Sequence, residues 1–194
     1  MAVATAGSVT GDRSSVTQLV GLGALWGVAG AIVMAIYAMI AGATYLGSGF
    51  FTPLYHIAST FLDPQSMMIS MEHAMEGEAF YFTFGAAGVG MLVHLVVGAV
   101  YGIVFALLAR AINLVGPVSV ALGALYGVAV MLFSSFVGLP IAAELFGGGD
   151  PIADMPTMVG WSTFTIEHVI FGLALGIGWV AQRSPRGQQE GIPG

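Results

Sequence analysis

Two histidines occupy matched places in this chain. His94 opens "HLVVGAVYGI" and His168 opens "HVIFGLALGI", and both segments read His-x-x-x-Gly-x-x-x-Gly-Ile. Ionisable groups inside apolar helices are costly, so they usually face a bundle interior or a cavity. Each imidazole lies one turn from a glycine on its own helix face, so both are expected to point inward. Three chemistries fit such a pair. It could be a structural pair hydrogen-bonded between helices. It could be a metal site, since two imidazoles on facing helices suit copper or a haem iron. It could also be part of a proton or small-solute path. Glu167, next to His168, would orient an imidazole, line that path or snorkel to the outer headgroups. Glu144, near the outer end of its helix, is a second candidate for the path.

A separate cluster lies in the stretch "SMMISMEHAMEGE" (66–78). Met67, Met71 and Met75 are four apart, and Glu72 and Glu76 flank His73. Thioether and imidazole ligands suit Cu(I). A methionine stripe is equally at home as packing.

The elements that must hold these residues follow from composition. Of 194 residues, 57% are hydrophobic and 7% charged, against about 25% charged in a soluble domain. Mean hydropathy is +0.93. Such a chain cannot cover itself with polar surface, so its solvent is mostly lipid. Four stretches, 17–46, 82–110, 117–143 and 160–183, reach the roughly 20 apolar residues needed to span a bilayer. The first is too long for the h-region of a signal peptide and is expected to remain as a helix. The sequence predicts an all-α four-helix transmembrane bundle over 17–183, with cytoplasmic tails at 1–16 and 184–194. The outward loop 47–81 is expected to hold short interfacial helices. Pro53 opens one, and Asp63-Pro64 caps the start of another.

The charges orient the bundle. There is no lysine, and the four arginines (Arg13, Arg110, Arg183 and Arg186) all fall on one side of a four-helix topology. That side is cytoplasmic by the positive-inside rule. The opposite loops carry Asp63, Glu72, Glu76, Glu78, Asp150 and Asp154 and no basic residue. From His94 to Arg110 is about 24 Å of helix and from His168 to Arg183 about 22 Å, so both histidines belong to the outer half. With so few cations, nucleic acid is excluded as a partner. The chain has no cysteine, which removes thiolate sites and disulfides. No Walker A motif, dinucleotide fingerprint or Gly-x-Ser-x-Gly elbow occurs, so no residue is designated catalytic.

One pentapeptide recurs: "GALWG" at 23–27, "GAVYG" at 98–102 and "GALYG" at 123–127. With Gly172 and Gly176, each helix carries a Gly-x-x-x-Gly pair (Gly23/Gly27, Gly98/Gly102, Gly123/Gly127). Glycines four apart share a face and let helix backbones approach closely in lipid. "GALWGVA" at 23–29 and "GALYGVA" at 123–129 align at an offset that also places Gly47 and Gly49 on Gly147 and Gly149. Helices 1–2 and 3–4 thus read as two copies of one pair, related by an axis along the membrane normal.

The run "VHLVVGAVYGIVFALLAR", then "GALYGVAVMLFSSFVGLP", then "FTIEHVIFGLALGIGWVAQR" resembles the YagU-like group of bacterial inner-membrane proteins, a domain of unknown function. The resemblance covers roughly residues 85–183 and rests on His94, on Pro140 ending helix 3, and on Glu167 and His168. In that group the glutamate and histidine of helix 4 stand further apart. The resemblance implies four helices and no particular activity. Small size and the lack of extramembrane domains favour an accessory subunit of a larger membrane complex in a bacterial cytoplasmic membrane. Other membrane subunits, or further copies of this chain, would then be its partners. A haem- or copper-binding redox protein and a proton or small-solute channel or transporter stand as alternatives.

Overall fold

The computed structural model describes residues 10–183, with side chains over 16–182. The C-terminal tail, the first nine residues, and the side chains of Arg13, Arg183 and Arg186 lie outside the described residues. The described chain is all-helical. In order, the elements are α1 (Thr10–Ala43), α2 (Thr52–Ala58), α3 (Gln65–Met75), α4 (Phe84–Ala111), α5 (Val118–Phe133), α6 (Leu139–Phe146), α7 (Gly149–Ala153), α8 (Met155–Val159) and α9 (Trp161–Arg183). A π-helical turn, Ser134–Gly138, joins α5 to α6. Four helices are long and apolar enough to cross a membrane: Val16–Ala43, Phe84–Ala111, Val118–Phe146 and Trp161–Gln182. Their outer faces carry exposed Ile32, Ile36, Leu92, Val100, Leu125 and Ile177, as expected where lipid replaces water. The molecule is an integral membrane protein.

The spans pack as two tight pairs, α1 with α4 and α5 with α9. In the first, a β-carbon on Gly23 would lie 2.9 Å from the Gly102 carbonyl oxygen, and one on Gly27 would run into that of Gly98. In the second, β-carbons on Gly123 and Gly127 would strike the carbonyls of Gly172 and His168. Both seams therefore bring backbone against backbone. Their registers differ by one turn: Gly23 fits between Gly102 and Ala106, and Gly123 between Gly172 and Gly176. Gly47, Gly49, Gly147 and Gly149 all adopt positive φ (61°, 106°, 74° and 60°). The turns after α1 and after α6 thus both place glycines at positive φ at matching positions, where a side chain would be strained.

The pairs join asymmetrically. α1 lies along α9, with Trp26 pressed on Gly178 and Gly30 on Phe171. The corresponding faces of α4 and α5 hardly meet. Tyr126 and Tyr101 bridge them, the Tyr126 hydroxyl donating to the Tyr101 carbonyl at 2.8 Å. Pro140 does not end the third span, as the sequence suggested; the helix runs on to Phe146. A proline has no N–H to give the carbonyl one turn back. The chain accommodates this through the π-helical turn just before it, a device common at functional sites.

The end of the bundle away from Arg110 is closed by the short helices. α2 is buried rather than laid on the surface: Leu54, Tyr55, His56 and Ala58 are all enclosed. The Leu54 carbonyl occupies the notch left by Gly90. The Tyr55 hydroxyl donates to the Tyr81 carbonyl (3.0 Å) and accepts from the Thr83 N–H (2.8 Å), tying α2 to the start of α4. α3 starts one residue later than expected, with Pro64 and not Asp63 at the N-cap; the Asp63 Oδ1 accepts from the Gln65 N–H at 2.9 Å just before the helix.

Candidate functional site

The gap between the helix pairs, roofed by the short helices, is a cavity of about 470 Å³. α1 supplies Met34, Ala35 and Ala38. α4 supplies His94, Val97 and Tyr101. The π-turn and α6 supply Ser134, Gly138 and Ala142, and α9 supplies Phe164, Glu167 and His168. A smaller space of about 80 Å³, bordered by both His94 and His168, adjoins it. The helix rotation that periodicity leaves open is thus decided: the two histidines face the same space.

Their hydrogen bonds decide what they present there. His94 Nε2 lies 2.9 Å from the Ala31 carbonyl oxygen, and His168 Nδ1 lies 2.7 Å from that of Phe164, one turn back on its own helix. A carbonyl only accepts, so each ring nitrogen in these bonds carries the proton. A neutral His94 then presents Nδ1 as an acceptor, and a neutral His168 presents Nε2. The His94 bond crosses from α4 to α1, whereas the His168 bond stays within α9, so the two are not symmetric in their anchoring.

Glu167 faces the cavity beside His168. The two residues are 5% and 6% exposed. The 100° between neighbours on a helix does not turn Glu167 out of this space: Phe164, Glu167 and His168 all line it. Among the described residues no hydrogen bond to its carboxyl is formed. Glu144, the other proposed path residue, is exposed and borders no part of this space.

The outer His/Met/Glu cluster is not drawn round one point. Met67 is buried and lines the cavity, Met71 borders its outer lip, and Met75 is 80% exposed. His73 Nδ1 pairs with Glu78 Oε2 at 2.9 Å, and its ring stacks on Tyr81. Glu72 and Glu76 are exposed. Among the described residues, no three of His, Asp and Glu are grouped to hold a metal ion.

Two residues at the cavity were not singled out from the sequence. His56, on α2, lines the cavity and donates from Nε2 to the Pro151 carbonyl at 2.5 Å, pinning α2 to α7. Tyr101 is the fourth residue of "GAVYG", and its hydroxyl lies 3.3 Å from Ser134 Oγ in the π-turn. The aromatic residue inside each pentapeptide was a usable signal, because Trp26 and Tyr126 hold the matching places at the interface between the pairs.

Burial lowers the pKa of His56, partly offset by its hydrogen bond to Pro151. The sign of the consequence is fixed. Above the unfolded value of about 6.5 the ring is neutral in both states. As pH falls below that value the unfolded chain takes up a proton that the folded one resists, so stability declines until the folded pKa is passed. Wild-type protein is expected to lose more thermal stability between pH 7.5 and 5 than His56→Gln. Equal losses would show that this ring stays neutral in neither state or charges in both.

Fold and site together define a four-helix integral membrane protein with a cavity between two glycine-seamed helix pairs. No protein-family model, curated protein or solved structure matches the chain.

Proposed function

We propose that this chain is a solute-binding membrane protein of the channel or transporter class, which takes a small, mainly apolar molecule into the cavity between its helix pairs. One observation carries this reading. A space of about 470 Å³ is walled by aliphatic and aromatic side chains and holds a few convergent polar groups, Glu167, His94 and His168. That size and that mixture are those of small-molecule sites. The cavity belongs to the acidic, outward end of the topology that the arginines imply, with both termini cytoplasmic. The resemblance to the YagU-like group supports a bacterial cytoplasmic membrane. An accessory-subunit role draws on small size and acidic loops alone. A haem or copper role draws on two free ring nitrogens, Nδ1 of His94 and Nε2 of His168, without a third ligand.

The test is binding of 2-phenylethanol to detergent-purified protein, followed through the fluorescence of Trp26, Trp161 and Trp179. Saturable quenching at one site per chain is expected, with a dissociation constant of about 1 mM, within the ligand efficiency of so small a molecule. Linear, unsaturable quenching alone would defeat the reading.

A further inference from the structure

Resting on that reading of the cavity, we infer that its preferred occupant is a small organic cation, an aryl- or alkylammonium whose charged head lies against the Glu167 carboxylate. Three observations lead there. Glu167 is a nearly fully buried residue whose carboxyl borders an apolar space, and no hydrogen bond to it is formed among the described residues. A buried carboxylate without a partner is costly, and a cation in the same low-dielectric space removes that cost. The imidazoles beside it have committed their N–H groups to the carbonyls of Ala31 and Phe164. What they turn to the cavity is acceptor capacity, which complements an N–H-rich head. No Lys or Arg lines the cavity, so no side chain competes for the carboxylate.

The rest of the wall suits the body of such a molecule. Phe164 and Tyr101 offer aromatic faces near the polar end, where a cation is favoured. Met34 and Met155 are unbranched and adapt to an irregular apolar group. The approach has the right sign as well. The roof segments carry Glu72, Glu76, Glu78, Asp150 and Asp154 and no Lys or Arg, so the outer surface concentrates cations.

The experiment compares 2-phenylethylammonium with its neutral counterpart 2-phenylethanol, on wild type, E167Q and E167D. Binding is taken as the difference from a cavity-blocked A142F protein, which removes partition into detergent. Wild type is expected to bind the ammonium roughly thirtyfold or more tightly than the alcohol, the scale of a buried charge contact. E167Q is expected to lose that preference, and E167D to retain it. Equal affinities in wild type, or a preference that persists in E167Q, would overturn the cation assignment and leave the solute-binding reading standing. Failure of both probes to bind beyond A142F would overturn both. If E167Q does not fold, the wild-type comparison alone still decides.

Discussion

Gly127→Val is expected to cost the bundle about 3 kcal/mol or more, beyond the usual range for an overpacked core. The argument is geometric. A β-carbon at 127 would meet the His168 carbonyl and lie 3.2 Å from the Gly172 α-carbon. Both are backbone atoms of a helix and cannot swing aside as a side chain would. α5 must therefore move off α9 along the whole seam, where Gly123, Gly172 and Gly176 are equally close to opposing backbone. In lipid there is little hydrophobic gain to offset lost contact between helices, because the tails are as apolar as the side chains. The matched control is Gly21→Ala. It lies on the same kind of glycine-rich helix, but nothing is within 4 Å of its added carbon. That change should be neutral or should stabilise by up to about 1 kcal/mol through helix propensity. Unfolding in SDS, followed by circular dichroism, measures both. A Gly127→Val protein as stable as wild type would mean that the seam tolerates side chains and that glycine is not what brings the helices together.

Ala142→Phe is expected to weaken binding of 2-phenylethanol at least a hundredfold while leaving the fold intact. Ala142 lies on α6, just past the π-turn, and borders the cavity directly. Ala142 also packs against the cluster of Met131, Ile152 and Phe164, so the phenyl group is expected to turn away from those neighbours and into the cavity, which limits the strain of overpacking. Its ring would occupy the volume that a phenyl-bearing ligand needs. Added apolar contact should hold or raise thermal stability. Fluorescence titration and a melting curve on the same preparation separate the outcomes. Unchanged binding by a folded variant would place the ligand elsewhere. A collapsed melting temperature would show that the space around α6 is tighter than its lining indicates.

Much of the architecture was legible before any coordinates. Four apolar runs of sufficient length admit only helices in lipid, because every backbone N–H and C=O must be satisfied within its own segment. The glycines four apart marked the faces of α1, α4, α5 and α9 that come close. Gly47, Gly49, Gly147 and Gly149 marked two turns that place glycines at positive φ at matching positions. Asp63-Pro64 marked the start of α3. These are local properties, set by a few neighbouring residues, and they survive translation into structure. Pro140 is the instructive exception. Its missing N–H was visible, but the response was not. A proline stops a helix or is absorbed by a π-turn depending on what packs around it, and here the span continues to Phe146.

The chain alone therefore determined the solvent, the number of spans and the faces that bear small residues, because hydrophobic length and residue size act locally. Only the tertiary structure decided that His94 and His168 border one space, that Glu167 lies in its wall without a hydrogen bond among the described residues, and that His56 and Tyr101 join them while Glu144 and Met75 do not. A rotation of a few tens of degrees about a helix axis carries a side chain from lipid to cavity. That rotation is set by backbone contacts between distant segments, Gly27 on Gly98 and Gly127 on His168. The cavity itself arises from the unequal meeting of the two pairs, close along α1 and α9 and open between α4 and α5. No periodicity in the sequence encodes that asymmetry, because it is a property of how the two pairs meet and not of either one.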